Sequence, residues 1–193
     1  MSETSANNKN KNKPRKTSAY LQLMAVHWAM SYCYLILFMT GTVMAKLPRS
    51  IWIRNSMYDF HKQLGVLAIA LLIVRIFILL RVSWKKYTRH LPKFSKKWMQ
   101  KAALHGTLYL FMLAVPISGL FFSSSFKSNN IRFLGMTLPD LFPQNSDLVG
   151  LGRNLHFWFS YTFAAFIALH IIDQWKVVRS IWRQLWKRRG NLA

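Results

Sequence analysis

From Tyr20 to Met44 the chain runs through 25 positions without a charged side chain. At about 1.5 Å per residue, a helix of that length crosses a hydrocarbon core roughly 30 Å thick. Three further runs qualify: about Phe60 to Leu80, interrupted by Lys62 near its start and Arg75 near its end; Ala102 to Phe122, uncharged; and Leu155 to about Ile172. The predicted fold is therefore all-α, a four-helix transmembrane bundle.

Composition takes its meaning from that segregation. Of 193 residues, 52% are hydrophobic and 15% aromatic, while 27 Lys and Arg stand against 5 Asp and Glu for a net charge of +22. A disordered basic tail would be poor in apolar side chains, and a soluble domain this apolar would carry both signs of charge. The basic residues lie in short connections between spans and not on one soluble face, which argues against nucleic acid as a partner. Nineteen of the 27 fall in the N-terminal tail, the second loop and the C-terminal tail, six fall in the first and third loops, and Lys62 and Arg75 lie within a span. By the positive-inside rule both termini are expected in the cytoplasm, with membrane lipid as the surrounding partner. The expected organisation is a disordered basic tail over 1–19, a membrane domain over 20–178 and a second basic tail over 179–193. The first apolar run is too long for a signal-peptide core and is expected to remain as an anchor. Cys33 is the single cysteine, so an intrachain disulfide and a Cys-x-x-Cys-His haem attachment are both excluded.

The histidines carry the chemistry. His90 falls in the second loop, but His27, His61, His105, His156 and His170 fall within or at the edge of apolar spans, where an ionisable side chain is a functional candidate. Counted from the cytoplasmic end, His27 and His170 both lie roughly 10 Å deep, while His61 and His156 lie roughly 28 and 31 Å deep. His156 and His170 are 14 residues apart on one helix, so their rings leave the same face about 21 Å from each other. One helix thus offers two imidazoles to one interior, and the first and second helices supply a partner at each level. Two stacked bis-histidine haems require that arrangement. Gly65, one turn after His61, removes a side chain where a porphyrin can lie, and Arg75, 14 residues after His61, falls at the inner level, where a guanidinium suits haem propionates. The spans hold almost no carboxylate or thiolate for a bare metal ion.

From Tyr20 to Asp173 the sequence resembles the prokaryotic cytochrome b561 family, four-helix membrane proteins holding two b-type haems, whose members include superoxide oxidases. The likeness rests on His27-Trp28, Pro48-Arg49-Ser50, His61 with Gly65 and Arg75, His105 followed by Pro116 to Gly119, Gly135 to Pro139, and His156 to His170. It implies that His27 and His170 are axial ligands of a cytoplasmic-side haem and His61 and His156 of a periplasmic-side one. The third helix then supplies no ligand, leaving His105 for a hydrogen bond or a quinone site. It also implies a place in the bacterial inner membrane, oxidation of periplasmic superoxide and reduction of ubiquinone. Lys62 directly after a ligand histidine, and Asp173 one turn after another, depart from the pattern. Lys62 is expected to raise the positive potential near the outer haem, and Asp173 to pair with Lys176.

With both axial positions filled by imidazole, one-electron transfer is the natural chemistry. An outer surface carrying Lys46, Arg49, Arg54 and Lys62, with Lys127, Arg132 and Arg153 beyond them, can steer a small anion such as superoxide. The same surface suits a second reading, in which the protein links the quinone pool to an acidic periplasmic redox protein. A third, from another class, is a haem-free assembly or transport protein whose histidines are structural or relay protons.

Overall fold

A computed structural model describes residues 18–48, 50–87, 95–177, 179–180 and 183. The tail before Ser18, Arg49, His90 and most of the C-terminal basic tail lie outside the described residues. Four helices dominate the rest: α1 Ser18–Lys46, α2 Ile53–Tyr87, α3 Lys96–Phe126 and α4 Val149–Asp173. All four are long and apolar enough to cross a membrane, and the expected all-α bundle is the observed one. The helices outrun the apolar stretches that announce them. Ser18 and Ala19, assigned above to the tail, begin α1, and α2 extends from Ile53 to Tyr87 because polar and charged residues are tolerated where helix ends reach the interface.

Successive helices run antiparallel. The start of α1 and α3 and the end of α2 and α4 share one face of the bundle, called here the terminal end; the loops after α1 and α3 form the loop end. Ser95 caps α3, its hydroxyl accepting from the Trp98 N–H at 3.2 Å. Within α3, Pro116 has no N–H to offer the carbonyl of Met112 four residues back. The Tyr34 hydroxyl of α1 donates to that carbonyl at 2.9 Å, so the helix break becomes a tie between α1 and α3. Tyr34 belongs to the single buried cluster at mid-height, with Met30, Cys33, Ala68, Leu72, Leu108 and Phe163.

Main-chain packing is uneven. α1 lies close against α2 and α3 close against α4, with a lesser contact between α2 and α3; neither α1 and α4 nor α2 and α4 are among the closely packed pairs. A Cβ on Gly152 of α4 would come within 2.9 Å of the Phe122 Cα, so the close approach of α3 and α4 depends on that glycine. At the loop end, β1 (Arg132–Phe133) and β2 (Met136–Thr137) form a small antiparallel hairpin. Its two central residues, Leu134 and Gly135, both have positive φ, at 50° and 84°, as a type I′ turn requires.

Candidate functional site

One interval organises the interior of all four helices. His27 and Gly41 on α1, His61 and Arg75 on α2, His105 and Gly119 on α3, and His156 and His170 on α4 are each 14 residues apart. Fourteen residues make nearly four turns and about 21 Å of rise, so every helix presents one member at each of two heights on one face. Nearer the terminal end lie His27, Arg75, His105 and His170. Nearer the loop end lie Gly41, His61, Gly119 and His156.

At the loop-end level the rings of His61 and His156 have their centres 6.2 Å apart and planes at 88°. They bridge α2 and α4, whose main chains do not pack closely. Each ring sits in a notch: a Cβ on Gly41 would come within 3.2 Å of His61 Cε1, and one on Gly119 within 3.1 Å of His156 Cε1. Their tautomers follow from the partners of Nδ1. The Thr40 hydroxyl donates to the Ile36 carbonyl at 2.8 Å, so at 3.0 Å from His61 it accepts the Nδ1 proton. The Val115 carbonyl, 3.0 Å from His156 Nδ1, can only accept, and Ser118, itself donating to Val115 at 2.7 Å, stands 3.2 Å from the same nitrogen. Both Nε2 atoms therefore keep a free lone pair, the state in which a histidine binds a metal with its other nitrogen held by an oxygen. Gly65, one turn from His61, has nothing within 4 Å of where its Cβ would be, so open space adjoins the pair.

The terminal-end level is more polar. His27 and His170 have ring centres 6.4 Å apart with planes at 74°, bridging α1 and α4. The Arg75 guanidinium donates from Nη1 to His27 Nδ1 at 2.8 Å and from Nε to the Tyr109 hydroxyl at 2.8 Å. His105 adds a third ring 5.2 Å from that of His170, its Nδ1 proton given to the Lys101 carbonyl at 2.7 Å. Nδ1 of His170 is buried without a hydrogen-bond partner among the described residues.

The four histidines expected to pair by depth thus do come together in couples, and Arg75 reaches the level assigned to it. The loop-end cations differ among themselves. Lys46 is exposed, and Arg49 lies outside the described residues. The Lys62 ammonium is bound to the Asp59 carboxylate at 2.9 Å and to the Asn130 carbonyl and side-chain oxygen at 3.0 Å, so its charge is compensated on the spot and fastens α2 to the loop before β1. Arg54 is half-buried on the ring of Tyr58. The expected pairing of Asp173 with Lys176 is not formed: α4 breaks at Gln174, whose side-chain amide donates to Asp173 at 2.6 Å, and the one ion pair among the described residues is Lys62 with Asp59. Reading the sequence missed Thr40 and Gly41, and covered Ser118 and Gly119 only within the Pro116 to Gly119 stretch, without their contacts to His156. Two of them had a signal, since the 14-residue step applied to His27 and His105 lands on Gly41 and Gly119.

Four helices long and apolar enough to cross a membrane enclose two couples of half-buried imidazoles. Residues 20–186 match the family model for prokaryotic cytochrome b561, so the chain belongs to that family. Its members bind b-type haem and move electrons across a membrane. A comparison with curated proteins gives no match.

Proposed function

We propose that this protein holds two b-type haems, one between His27 and His170 and one between His61 and His156, and conducts electrons from superoxide at the loop end to ubiquinone at the terminal end. The spacing of the ring couples carries the reading. Two metal–imidazole bonds of about 2 Å, each ring centre lying about 1.1 Å beyond its bound nitrogen, give centres about 6.2 Å apart; the observed separations are 6.2 and 6.4 Å. An edge-to-face contact also falls in this range. The fixed Nδ1 protons of His61 and His156, and the wide helix pairs that both couples span, favour an intervening group. His27 with His170 and His61 with His156 would hold such haems, and ligation by two imidazoles would supply one-electron transfer without oxygen binding.

The remaining roles belong to the chain's own residues. Gly65 leaves room for the flat face of a macrocycle near His61. Arg75, whose guanidinium here donates to His27 Nδ1, would have to turn from that nitrogen to a haem carboxylate for His27 to offer Nε2 to iron. A cation at this level suits carboxylates in low dielectric. The bias of Lys and Arg puts the terminal end in the cytoplasm and the loop end in the periplasm of the bacterial inner membrane. There Lys46, Arg132 and Arg153 keep exposed positive charge that can attract an anion. Two superoxide anions each give up one electron and leave as oxygen; one quinone takes both electrons and two protons. His105, its Nδ1 proton held by the Lys101 carbonyl, keeps the Nε2 lone pair for a proton transfer.

A second reading rests on the apolar side chains exposed at the loop end, among them Trp52 and Leu134, at 82% and 79%. With the exposed cations Lys46, Arg132 and Arg153 around them, they suit an acidic redox protein with an apolar contact face as electron donor. Membership of the family leaves the haem-free alternative without support. A reduced-minus-oxidised spectrum with haem quantification tests the cofactor count: two b-type haems per chain are expected, and one or none overturns the reading. Consumption of superoxide by purified protein with quinone alone separates the two donors. Near diffusion-limited consumption supports superoxide, and its absence supports a protein partner.

A further inference from the structure

Among the described residues, Arg54 is the one arginine of the loop end with a buried side-chain N–H that has no hydrogen-bond partner. It lies in the first turn of α2, seven residues before His61, 20° short of two full turns and about 10 Å nearer the loop end, so it shares the face of His61. Its guanidinium rests on the Tyr58 ring with the central carbon 5.0 Å from the ring centre, and Nη2 donates to the Tyr58 hydroxyl at 3.2 Å. The Nε–H is buried and bonds to nothing among the described residues. Burying a guanidinium donor without an acceptor is unfavourable, and arginine's planar fork matches a carboxylate better than any other anion of the interior.

The surroundings narrow the choice of acceptor. Asp59 is taken by Lys62, and Arg54 forms no ion pair with any described carboxylate. The level of His61 and His156 carries no charge of its own, its other two members being Gly41 and Gly119. Lys62 is fully engaged. A b-type haem brings two carboxylate arms, and a haem gripped at this level needs a cation for them that the level itself does not hold.

We propose that Arg54 binds a carboxylate arm of the haem held by His61 and His156, and so fixes which edge of that haem faces the loop end. The proposal rests on the two-couple reading above and recasts Arg54 from a residue that attracts anions in solution to one that holds the cofactor.

The test uses the full-length protein purified in detergent, with Arg54→Lys and Arg54→Leu made in the wild type and in a His170→Ala background that retains only the outer haem. Haem per chain and potentiometric titration of the b-type α-band are read. Arg54→Leu is expected to shift the potential of the outer haem or lower its occupancy while leaving the inner haem unchanged. Arg54→Lys, keeping charge but losing the fork, is expected to fall between. Unchanged occupancy and potential in both variants overturns the proposal, and a purely salt-dependent fall in superoxide consumption would return Arg54 to anion attraction. Should Arg54→Leu fail to accumulate, Arg54→Lys alone decides: an outer haem indistinguishable from wild type refutes the role. Absence of two haems in the wild type is a separate failure, that of the parent reading.

Discussion

At the loop end, His61 and His156 rest against glycine and give their Nδ1 protons to neutral oxygens. At the terminal end, His27 and His170 share their level with a guanidinium and a third imidazole, and no glycine notch receives either ring. The same 14-residue repeat therefore builds two unlike sites. The outer one is fixed by shape and by uncharged hydrogen bonds, the inner one by polar contact close to the interface. Substitutions that add volume should injure the first and spare the second.

The sharpest break of that comparison is removal of a ring. His170→Ala is expected to abolish the inner haem and leave the outer, halving haem per chain, and His156→Ala to do the reverse. Difference spectra and haem quantification read both. Loss of both haems in either variant would mean that the two levels form one folding unit and not two sites.

Added volume comes next. Gly119→Ala and Gly41→Ala each push a methyl to 3.1 and 3.2 Å from an imidazole carbon, so that the ring must give by a few tenths of an ångström. Overpacking of this kind costs about 1–3 kcal/mol, equivalent to roughly a five- to 150-fold loss in retention of the outer haem. Gly106→Ala, adjoining His105 at the inner level, meets nothing within 4 Å and is the control. Equal damage from all three would remove the distinction drawn here. Retention is read as haem lost on dilution into detergent.

The two heights were legible in the sequence because helices convert residue count into depth, and charge bias fixed which ends lie together. His61 with His156 and His27 with His170 followed from counting alone. What escaped was everything set by close approach. Thr40 and Ser118 are ordinary residues of an apolar span, and only the crossing of α2 by α1 and of α4 by α3 shows that their oxygens meet Nδ1 atoms. The compensation of Lys62 was hidden for a like reason: Asp59 is a neighbour in sequence, but Asn130 is 68 positions away.

Removing those oxygens is expected to have an effect of the same order as adding volume, and an unequal one. Thr40→Val takes away the one Nδ1 acceptor that His61 has among the described residues, whereas Ser118→Ala leaves His156 the Val115 carbonyl. Loss of such a supporting hydrogen bond typically weakens a metal site 10- to 100-fold. Thr40→Val is expected in that range and Ser118→Ala below it, with the potential of the outer haem moving in the same order. A larger effect from Ser118→Ala would show that the hydroxyl, and not the carbonyl, holds His156.

The smallest effect is expected between the levels. Tyr34 is buried at mid-height, its ring 5.1 Å from that of Phe163 and its hydroxyl on the carbonyl that Pro116 leaves free. Tyr34→Phe keeps the ring contact and deletes one hydrogen bond between α1 and α3, a loss of about 0.6–1 kcal/mol within a membrane bundle. Because neither imidazole couple touches that hydroxyl, both haem signals should stay as in the wild type while resistance to unfolding in denaturing detergent falls slightly. Altered spectra at either level would mean that the mid-height tie sets the register of the helices at both sites, which would couple the two ends that their chemistry otherwise separates.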